Sequence, residues 1–346
     1  MKQRITLKNI ATELGVSIST VSKALKDSHE ISKEMRDRIK AYADFQNYRP
    51  NKLALKLRSQ KTLILGVIVP KIVHYFFSDV LRGIENYANE KGYNVMVCLS
   101  NDSFEKEVLS IETLLEGSVD GIIISVTKDT YERGNYDHIK KLIDEKFPIV
   151  LFDNIIEDIQ CDMVSINDEG GAFNATEYLI KTGCKRIALL TMPEYVKIGS
   201  LRKKGYVKAL NKHNIEMNDD LIIEFDDDKD IHKKLEGLFS KKDKYPDAVL
   251  AVNGEIFAST AMQMAINKGL KIPQDVSVIT FTDGLISKYS SPPLTALVQH
   301  SFEMGKQAVE LLINRIENEN SDYRFERKVI STNLKVRSST KNLKEF

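Results

Sequence analysis

Residues 49–60 of this 346-residue chain, RPNKLALKLRSQ, combine positive charge with regularly spaced leucines. The cations can contact a polyanion, whereas the leucines need an apolar site to occupy. On a helix beginning near Asn51, Leu53 and Leu57 share one face at positions i and i+4, with cations on both flanks. The segment follows a helical region and precedes a strand-like run, so it either packs on the following domain or binds a partner.

The sequence lacks the side-chain patterns typical of catalysis and of metal binding. It contains no G-x-G-x-x-G, G-x-x-x-x-G-K-[ST], G-x-S-x-G or H-E-x-x-H motif, and its six histidines are scattered. The acidic run DDDKD at 226–230 lacks the glycine and the distant glutamate of a calcium loop, so we interpret it as a solvated turn. We therefore expect no enzyme, no catalytic residue, no cofactor and no metal.

The charge of the chain is divided unevenly along its length. Residues 1–61 contain 14 Lys or Arg and 6 Asp or Glu, whereas the remaining residues contain 36 basic and 43 acidic side chains. A basic module attached to an acidic body indicates a polyanionic partner, either nucleic acid or an anionic membrane. No membrane-spanning apolar run and no secretory signal occurs, so we expect a cytoplasmic protein. If the polyanion is DNA, the protein is nucleoid-associated.

Three short helices are predicted in the first module. Thr6, Ser17 and Ser32 are placed as N-caps, and Gly15 is placed to end the first helix in a left-handed conformation. Two short helices joined by a glycine-containing turn form a helix-turn-helix, whose second helix enters the DNA major groove. A membrane-binding helix would need a large apolar face, which the short second helix lacks, because its few apolar residues are needed for the core of the module.

From residue 62 onward, strand-like and helical segments alternate. The first series of strands comprises LILGVIV, YNVMVCL, DGIIIS and PIVLF, with helices beginning near Phe77, Phe104 and Tyr136; the second comprises RIALL, LIIEF, DAVLAV and VSVIT. Alternating β and α units predict two doubly wound, parallel-sheet subdomains. Ligands of such folds bind beyond the carboxyl ends of the strands.

The blocks ITLKNIATELGVSISTVSKALK and NYRPNKLALKLRSQKT resemble the N-terminus of the lactose-repressor (LacI/GalR) family of bacterial transcription regulators. The resemblance implies an operator-bound hinge helix whose Leu57 wedges into the minor groove, a device that bends DNA. Ile18, Ser19 and Lys23 take base-reading positions. The full set of implied DNA contacts is Thr6, Ser17, Ile18, Ser19, Thr20, Ser22, Lys23, Asn51, Lys52, Ala54, Leu57 and Arg58. Packing of Leu57 on the core remains the alternative, and Leu55 has no assigned role.

The body is similar to the effector-binding core of the same family, which is akin to periplasmic binding proteins, through blocks such as YFFSDVLRGIE, GCKRIALL and EMGKQAVELLINRI. The implied organisation is a DNA-binding domain at 1–48, a hinge at 49–61, a core at 62–340 and a tail at 341–346. Within the core we place an N-subdomain at about 62–160 and 293–324 and a C-subdomain at about 161–292 and 325–340. The chain then crosses between subdomains near residues 160, 292 and 324.

Seven positions match effector contacts of the family: Tyr75, Phe76, Ser125, Asp153, Arg202, Asn253 and Asp283. For Phe77, core packing is the expected role. Two departures affect specificity, because Thr282 replaces the first Asp of the family's G-F-D-D and Gly254 stands where Asp is usual. A retained arginine beside a lost acid predicts an anionic effector, such as a sugar acid or sugar phosphate; a sugar remains the broader expectation.

The family resemblance also implies a homodimer that reads a pseudo-palindromic operator. Effector binding in the cleft would weaken or strengthen operator binding, and nothing in the residues distinguishes induction from corepression. The function is thus expected to be that of an effector-controlled transcriptional regulator, most simply a repressor. The alternative from another class is a cytosolic solute-binding or enzyme-like α/β protein whose N-terminal bundle contacts other proteins.

Overall fold

The computed structural model describes residues 5–46, 48, 61–226, 229–240, 244–318 and 324–343. The chain divides into two units, Met1–Thr62 and Leu63–Phe346. The predicted hinge contacts lie outside the described residues and remain predictions: Asn51, Lys52, Ala54, Leu57 and Arg58. No helix of the described part is long and apolar enough to cross a membrane.

The first unit contains the three predicted helices, Leu7–Leu14 (α1), Ile18–Leu25 (α2) and Lys33–Phe45 (α3). Each of the three helices has a hydroxyl side chain as its N-cap. The side chains of Thr6, Ser17 and Ser32 accept hydrogen bonds from backbone N–H groups of the first turn. Gly15 ends α1 at φ +66°, a left-handed conformation that glycine adopts without steric cost. The core of this unit consists of Ile10, Ala11, Val21, Ala24, Ile39 and Ala43.

The second unit consists of two lobes, each built on a six-stranded sheet. The sheet of the first lobe has the order β11-β5-β4-β3-β1-β2, with all strands parallel. Its strands are Ile64–Val69 (β1), Asn94–Leu99 (β2), Gly121–Ile124 (β3), Ile149–Phe152 (β4), Asp162–Ile166 (β5) and Arg327–Ile330 (β11). Its helices are Tyr75–Glu90 (α4), Phe104–Glu116 (α5), Lys128–Arg133 (α6), Asp137–Asp144 (α7) and Ser301–Glu317 (α13).

The sheet of the second lobe has the order β12-β10-β9-β8-β6-β7, parallel except for the β10–β12 pair. Its strands are Ile187–Thr191 (β6), Ile222–Glu224 (β7), Ala248–Ala251 (β8), Ser277–Phe281 (β9), Thr295–Val298 (β10) and Asn333–Lys335 (β12). Its helices are Asp168–Lys181 (α8), Lys197–Lys212 (α9), Ile231–Leu238 (α10), Glu255–Asn267 (α11) and Leu285–Tyr289 (α12). Apolar clusters cover both faces of each sheet. The predicted fold class is therefore confirmed.

The chain crosses between the lobes farther along than the sequence predicted. The crossings occur after Ile166, Val298 and Ile330, at the ends of β5, β10 and β11. The sequence had placed them near residues 160, 292 and 324. Residues 162–166, 295–298 and 327–330 thus belong to the lobe opposite to the predicted one. Each of these three strands pairs within the sheet of one lobe, and the chain crosses to the other lobe only after that strand ends. In β5, Asp162 and Ser165 also interrupt the apolar pattern.

Close helix pairs fix the helices that carry the site. A Cβ at Gly83 of α4 would lie 2.1 Å from the carbonyl oxygen of Phe302 in α13. A Cβ at Gly205 of α9 would lie 2.1 Å from the carbonyl oxygen of Glu169 in α8. Backbone contact at these glycines packs α4 and α9 tightly against their neighbours. The backbone positions from which Tyr75, Phe76 and Arg202 project are therefore fixed.

Candidate ligand-binding cleft and DNA-recognition helix

A cavity of about 190 Å³ lies between the two lobes at the carboxyl ends of their strands. Residues that directly follow β1, β3 and β4 line it from the first lobe, and residues that follow β6, β8 and β9 line it from the second. This is the position at which doubly wound sheets bind ligands. Six of the seven predicted effector contacts line the cavity: Tyr75, Phe76, Ser125, Asp153, Arg202 and Asn253.

Asp153 is a buried carboxylate that faces this cavity. It follows β4, is 7% exposed and has φ +56°, a conformation that non-glycine residues seldom adopt. Among the described residues its side chain has neither a hydrogen bond nor an ion pair. Burial raises the pKa of Asp153 to about 7, with the charge of Arg202 lowering it and that of Asp168 raising it. A ligand that donates a hydrogen bond to the Asp153 carboxylate would therefore offset the free-energy cost of burying this group.

Three buried polar atoms that belong to residues lining the cavity have no hydrogen-bond partner among the described residues. They are the Ser125 hydroxyl and the side-chain carbonyl oxygens of Asn154 and Asn253. The amide nitrogens of both asparagines are used, because Asn154 donates to Val126 O at 2.7 Å and Asn253 donates to Thr191 O at 3.3 Å. The side-chain orientations are thereby set, and both amide oxygens are left buried without a donor. A ligand rich in hydroxyl donors could satisfy those oxygens that it reaches.

Arg202 is buried in the cleft, but its charge is compensated by the protein. Its Nε donates to Asp168 Oδ1 at 2.7 Å, and its Nη1 donates to the carbonyl oxygen of Val252. The guanidinium also stacks 4.6 Å from the ring centroid of Phe281. Both members of the ion pair are 4% exposed. The charge of Arg202 is therefore not left free for an anionic ligand, which removes the main support for the predicted sugar acid or phosphate.

Aromatic rings line the cavity from both lobes. Tyr75 and Phe76 stand in the first turn of α4, and Phe225 and Phe281 belong to the second lobe. The Nζ of Lys288, in the second lobe, lies 5.4 Å from the centroid of the Tyr75 ring. These rings offer flat apolar surface against which the CH face of a sugar or a planar ring can pack.

Asp283 is not among the residues that line this cavity. Its carboxylate binds the Arg337 guanidinium and lies 3.3 Å from Lys335 Nζ. Burial raises the pKa of Asp283, but the hydrogen bonds and charges of Arg337 and Lys335 outweigh it and hold the pKa below its usual value. Thr282 lines the cavity instead, and its hydroxyl donates to Gln299 Oε1 at 3.1 Å.

Sequence reasoning missed several residues that line the cleft or hold its side chains, among them Asn154, Asp168, Glu255 and Gln299. Asn154 and Glu255 follow strands at the same edges as Asp153 and Asn253, so the strand-end rule could have identified them. Asp168 is recognised only by its contact with Arg202, which is distant in sequence. Gln299 lies in the second crossing between the lobes, and no local pattern marks it.

In the first unit, the start of α2 presents the predicted base-reading side chains. Ile18 is 48% exposed, and the Ser17 hydroxyl lies 2.7 Å from that of Ser19 and 2.8 Å from that of Thr20. Lys23 forms an ion pair with Glu30. Ser22 is half-buried on the same helix, and the hydroxyl of Thr6 lies 2.5 Å from Asn9 Oδ1 at the start of α1. An exposed helix start with hydroxyls and one apolar side chain can contact phosphates and base edges.

Comparisons with known proteins match both units of the chain. Residues 6–51 match the family model described as bacterial regulatory proteins, lacI family, and residues 176–340 match a periplasmic binding protein-like domain. The chain is 30% identical over 341 residues to the HTH-type transcriptional repressor PurR of Vibrio campbellii, covering 98% of this chain and 99% of that protein.

Two solved structures resemble the whole chain. The complex of the transcriptional regulator CelR with cellobiose is 25% identical with a TM-score of 0.72, covering 97% of this chain and 100% of that one. The lac repressor dimer bound to operator and the anti-inducer ONPF has the same fold, at 22% identity and a TM-score of 0.84, covering 98% and 99% of the two chains.

Proposed function

Since this chain belongs to the lacI family of bacterial regulatory proteins, we propose that a hydroxyl-rich, non-anionic small molecule such as a sugar binds in its cleft and controls its affinity for operator DNA. Its relatives are DNA-binding transcriptional repressors with an effector-binding core. By analogy with them, this protein regulates transcription, performs no catalysis and acts on the DNA of the bacterial cytoplasm.

The observation that carries the proposal is the Asp153 carboxylate, buried at the cavity wall without a protein donor among the described residues. An ionised carboxylate in this environment is unfavourable unless a ligand hydrogen-bonds to it. Ser125, Asn154 and Asn253 add unpartnered oxygens around the same cavity. A ligand with several hydroxyl groups matches these acceptors, and the rings of Tyr75 and its neighbours match its apolar face.

The charges of the cleft favour a ligand without negative charge. Arg202 is paired with Asp168, and the ammonium of Lys71 lies 3.5 Å from the Asp102 carboxylate. Asp153 would repel an anion. The cellobiose complex of CelR shows that a related protein takes a neutral sugar, and we extend that class to this chain.

Cleft closure supplies a mechanism for control of DNA binding. The cavity is lined from both lobes, and the lobes are joined by the three crossings after Ile166, Val298 and Ile330. A ligand that binds residues of both lobes stabilises the closed arrangement over the open one, by the difference of its affinities for the two. If operator affinity differs between the arrangements, ligand and DNA are coupled by the same free energy in both directions.

On the DNA side, we propose that α2 reads the major groove through Ile18, Ser19 and Lys23, with Thr6, Ser17, Thr20 and Ser22 nearby. We further propose that Leu57 wedges into the minor groove of a pseudo-palindromic operator bound by a homodimer, with Asn51, Lys52, Ala54 and Arg58 beside it. Two recognition helices about one helical turn apart would fit such a site.

Isothermal titration calorimetry of the full chain tests the ligand class. Each of several neutral sugars is compared with its own uronate and its own phosphate. We expect a neutral sugar to bind, and to bind at least about tenfold more weakly to Asp153→Asn, because the ligand loses a charge-assisted hydrogen bond. The exposed Asp144→Asn serves as a control on the same lobe. Tightest binding by the uronates or phosphates would contradict the proposal.

A further inference from the structure

Glu255 places a second carboxylate in the cleft, on the lobe opposite to Asp153. It is the first residue of α11, directly after Gly254, and it is 8% exposed at the cavity wall. Its Oε2 accepts a hydrogen bond from the backbone N–H of Ser287 at 3.0 Å and lies 2.8 Å from the Ser287 hydroxyl. Its Oε1 has no hydrogen-bond partner among the described residues. One oxygen thus anchors the carboxylate and the other is available to a ligand.

The neighbouring backbone leaves room for this carboxylate. A Cβ at Gly284 would lie 2.3 Å from Glu255 Oε1 and 2.5 Å from Oε2, so a side chain at position 284 would collide with it. The Ser287 hydroxyl also lies 2.8 Å from Thr282 O, and its single proton can be donated to only one of the two acceptors at a time. The Glu255 carboxylate therefore has fewer hydrogen-bond donors around it than its two oxygens can accept.

Glu255 forms no ion pair with any residue that the structure describes. Several other charged groups around the cavity are matched within the protein, since Arg202 pairs with Asp168 and Lys71 with Asp102. Neither Asp153 nor Glu255 has an ion-pair partner within the described ranges. Charges buried in proteins are ordinarily paired, so an unpaired carboxylate on a cavity wall indicates a partner that arrives with the ligand.

The two carboxylates stand on opposite walls of the cleft. Asp153 follows β4 of the first lobe and Glu255 follows β8 of the second. A ligand that reaches both walls can contact both carboxylates, and positive charge on the ligand would be attracted to each of them. A neutral ligand would gain no such attraction.

We propose that the effector carries an amino group, protonated at neutral pH, that binds Glu255 Oε1, so that the ligand class is an amino sugar or a similar amino-polyol. This assignment rests on the proposed function of the cleft and refines it. Glu255 then determines specificity for the ammonium, while Asp153 and the asparagines bind the hydroxyls.

Calorimetry with the full chain and matched ligand sets tests the assignment. Glucosamine, galactosamine and mannosamine are each compared with the parent sugar and with the N-acetyl derivative, which keeps an N–H donor but loses the charge. We expect one amine to bind at least about tenfold more tightly than both of its neutral counterparts, because hydrogen bonds between charged groups are the stronger kind.

The variant Glu255→Gln tests whether the preference for an amine depends on the charge of Glu255. Gln keeps the shape and an oxygen for the Ser287 N–H but loses the charge, so amine affinity should fall to that of the parent sugar while parent affinity stays within about threefold. Glu236→Gln, an exposed change on the same lobe, is the control. Failure of every amine to exceed its parent, or equal loss for amine and parent in Glu255→Gln, overturns the amine assignment. Neutral-sugar binding that still depends on Asp153 would leave the proposed function standing, whereas preference for uronates would refute both.

Discussion

Replacing Asp153 by Asn should stabilise the ligand-free core in a pH-dependent way. Burial raises the pKa of this carboxyl in the folded protein to about 7, against an ordinary value of 3.8 for an aspartate. Between these two values the folded state holds a proton that the unfolded state has released. The contribution of Asp153 to the stability of the wild-type protein therefore falls as the pH rises from about 4 to about 7, and the full penalty remains above pH 7. An amide cannot ionise, so Asp153→Asn escapes this penalty.

The size of the effect follows from the same pKa difference. At about 1.4 kcal/mol per pH unit, it corresponds to about 4 kcal/mol at pH 8 and to roughly 1 to 2 kcal/mol at pH 5. The new amide is itself buried and needs partners, which costs about 1 to 3 kcal/mol at either pH. We therefore expect a net gain of about 1 to 3 kcal/mol at pH 8, or a rise in Tm of several degrees for a unit of this size, and no gain or a loss at pH 5.

Differential scanning calorimetry of the ligand-free protein measures this difference directly. Wild type, Asp153→Asn and the exposed control Asp144→Asn are scanned at pH 5 and pH 8. The reasoning is refuted if the Tm of Asp153→Asn relative to wild type is the same at both pH values, or if it is higher at pH 5 than at pH 8. A pH-dependent difference of similar size in Asp144→Asn would show that the effect does not belong to Asp153.

Three further predictions concern other parts of the molecule. Leu57→Ala should leave core stability and ligand binding unchanged while operator affinity, measured by fluorescence anisotropy, falls toward the value for random duplex; unchanged operator affinity would return the segment to the role of a linker packed on the core. Glu30→Gln removes the partner of Lys23 and should raise affinity for random duplex about two- to threefold and steepen its salt dependence; an unaltered salt slope would mean that Lys23 does not contact DNA. Arg202→Lys should lower the stability of the core by about 2 to 4 kcal/mol in urea unfolding, since Lys cannot reproduce the contacts that hold Asp168; a loss below about 1 kcal/mol would argue against a structural role for the pair.

Local chemistry explains which parts of the fold were predictable. Capping is decided within four residues, so Thr6, Ser17 and Gly15 marked helix boundaries correctly. Ser125 and Asp153, predicted from the family resemblance, directly follow β3 and β4 and line the cavity, because the carboxyl ends of parallel strands converge at one edge.

Contacts between distant segments explain the rest. The three crossings were misplaced because strand membership depends on which sheet a segment joins, a tertiary property that short runs such as β5 do not reveal. The anionic effector was predicted from Arg202 and from Thr282 in place of an acid, because the pairing of Arg202 with Asp168 is invisible along the sequence. Asp283 matched its family position, yet Arg337 and Lys335 bind its carboxylate.

The coupling between the cleft and DNA binding is tested most directly by one titration. Operator duplex, selected from a random library with the full chain, is titrated with wild type and with Asp153→Asn, with and without the sugar identified by calorimetry. We predict equal operator affinity for both proteins without ligand, and a ligand-induced change of about 5- to 150-fold in wild type that requires at least about tenfold more ligand in Asp153→Asn. The same ligand concentration dependence in both proteins, or no binding of wild type to any duplex at low salt, would contradict the account.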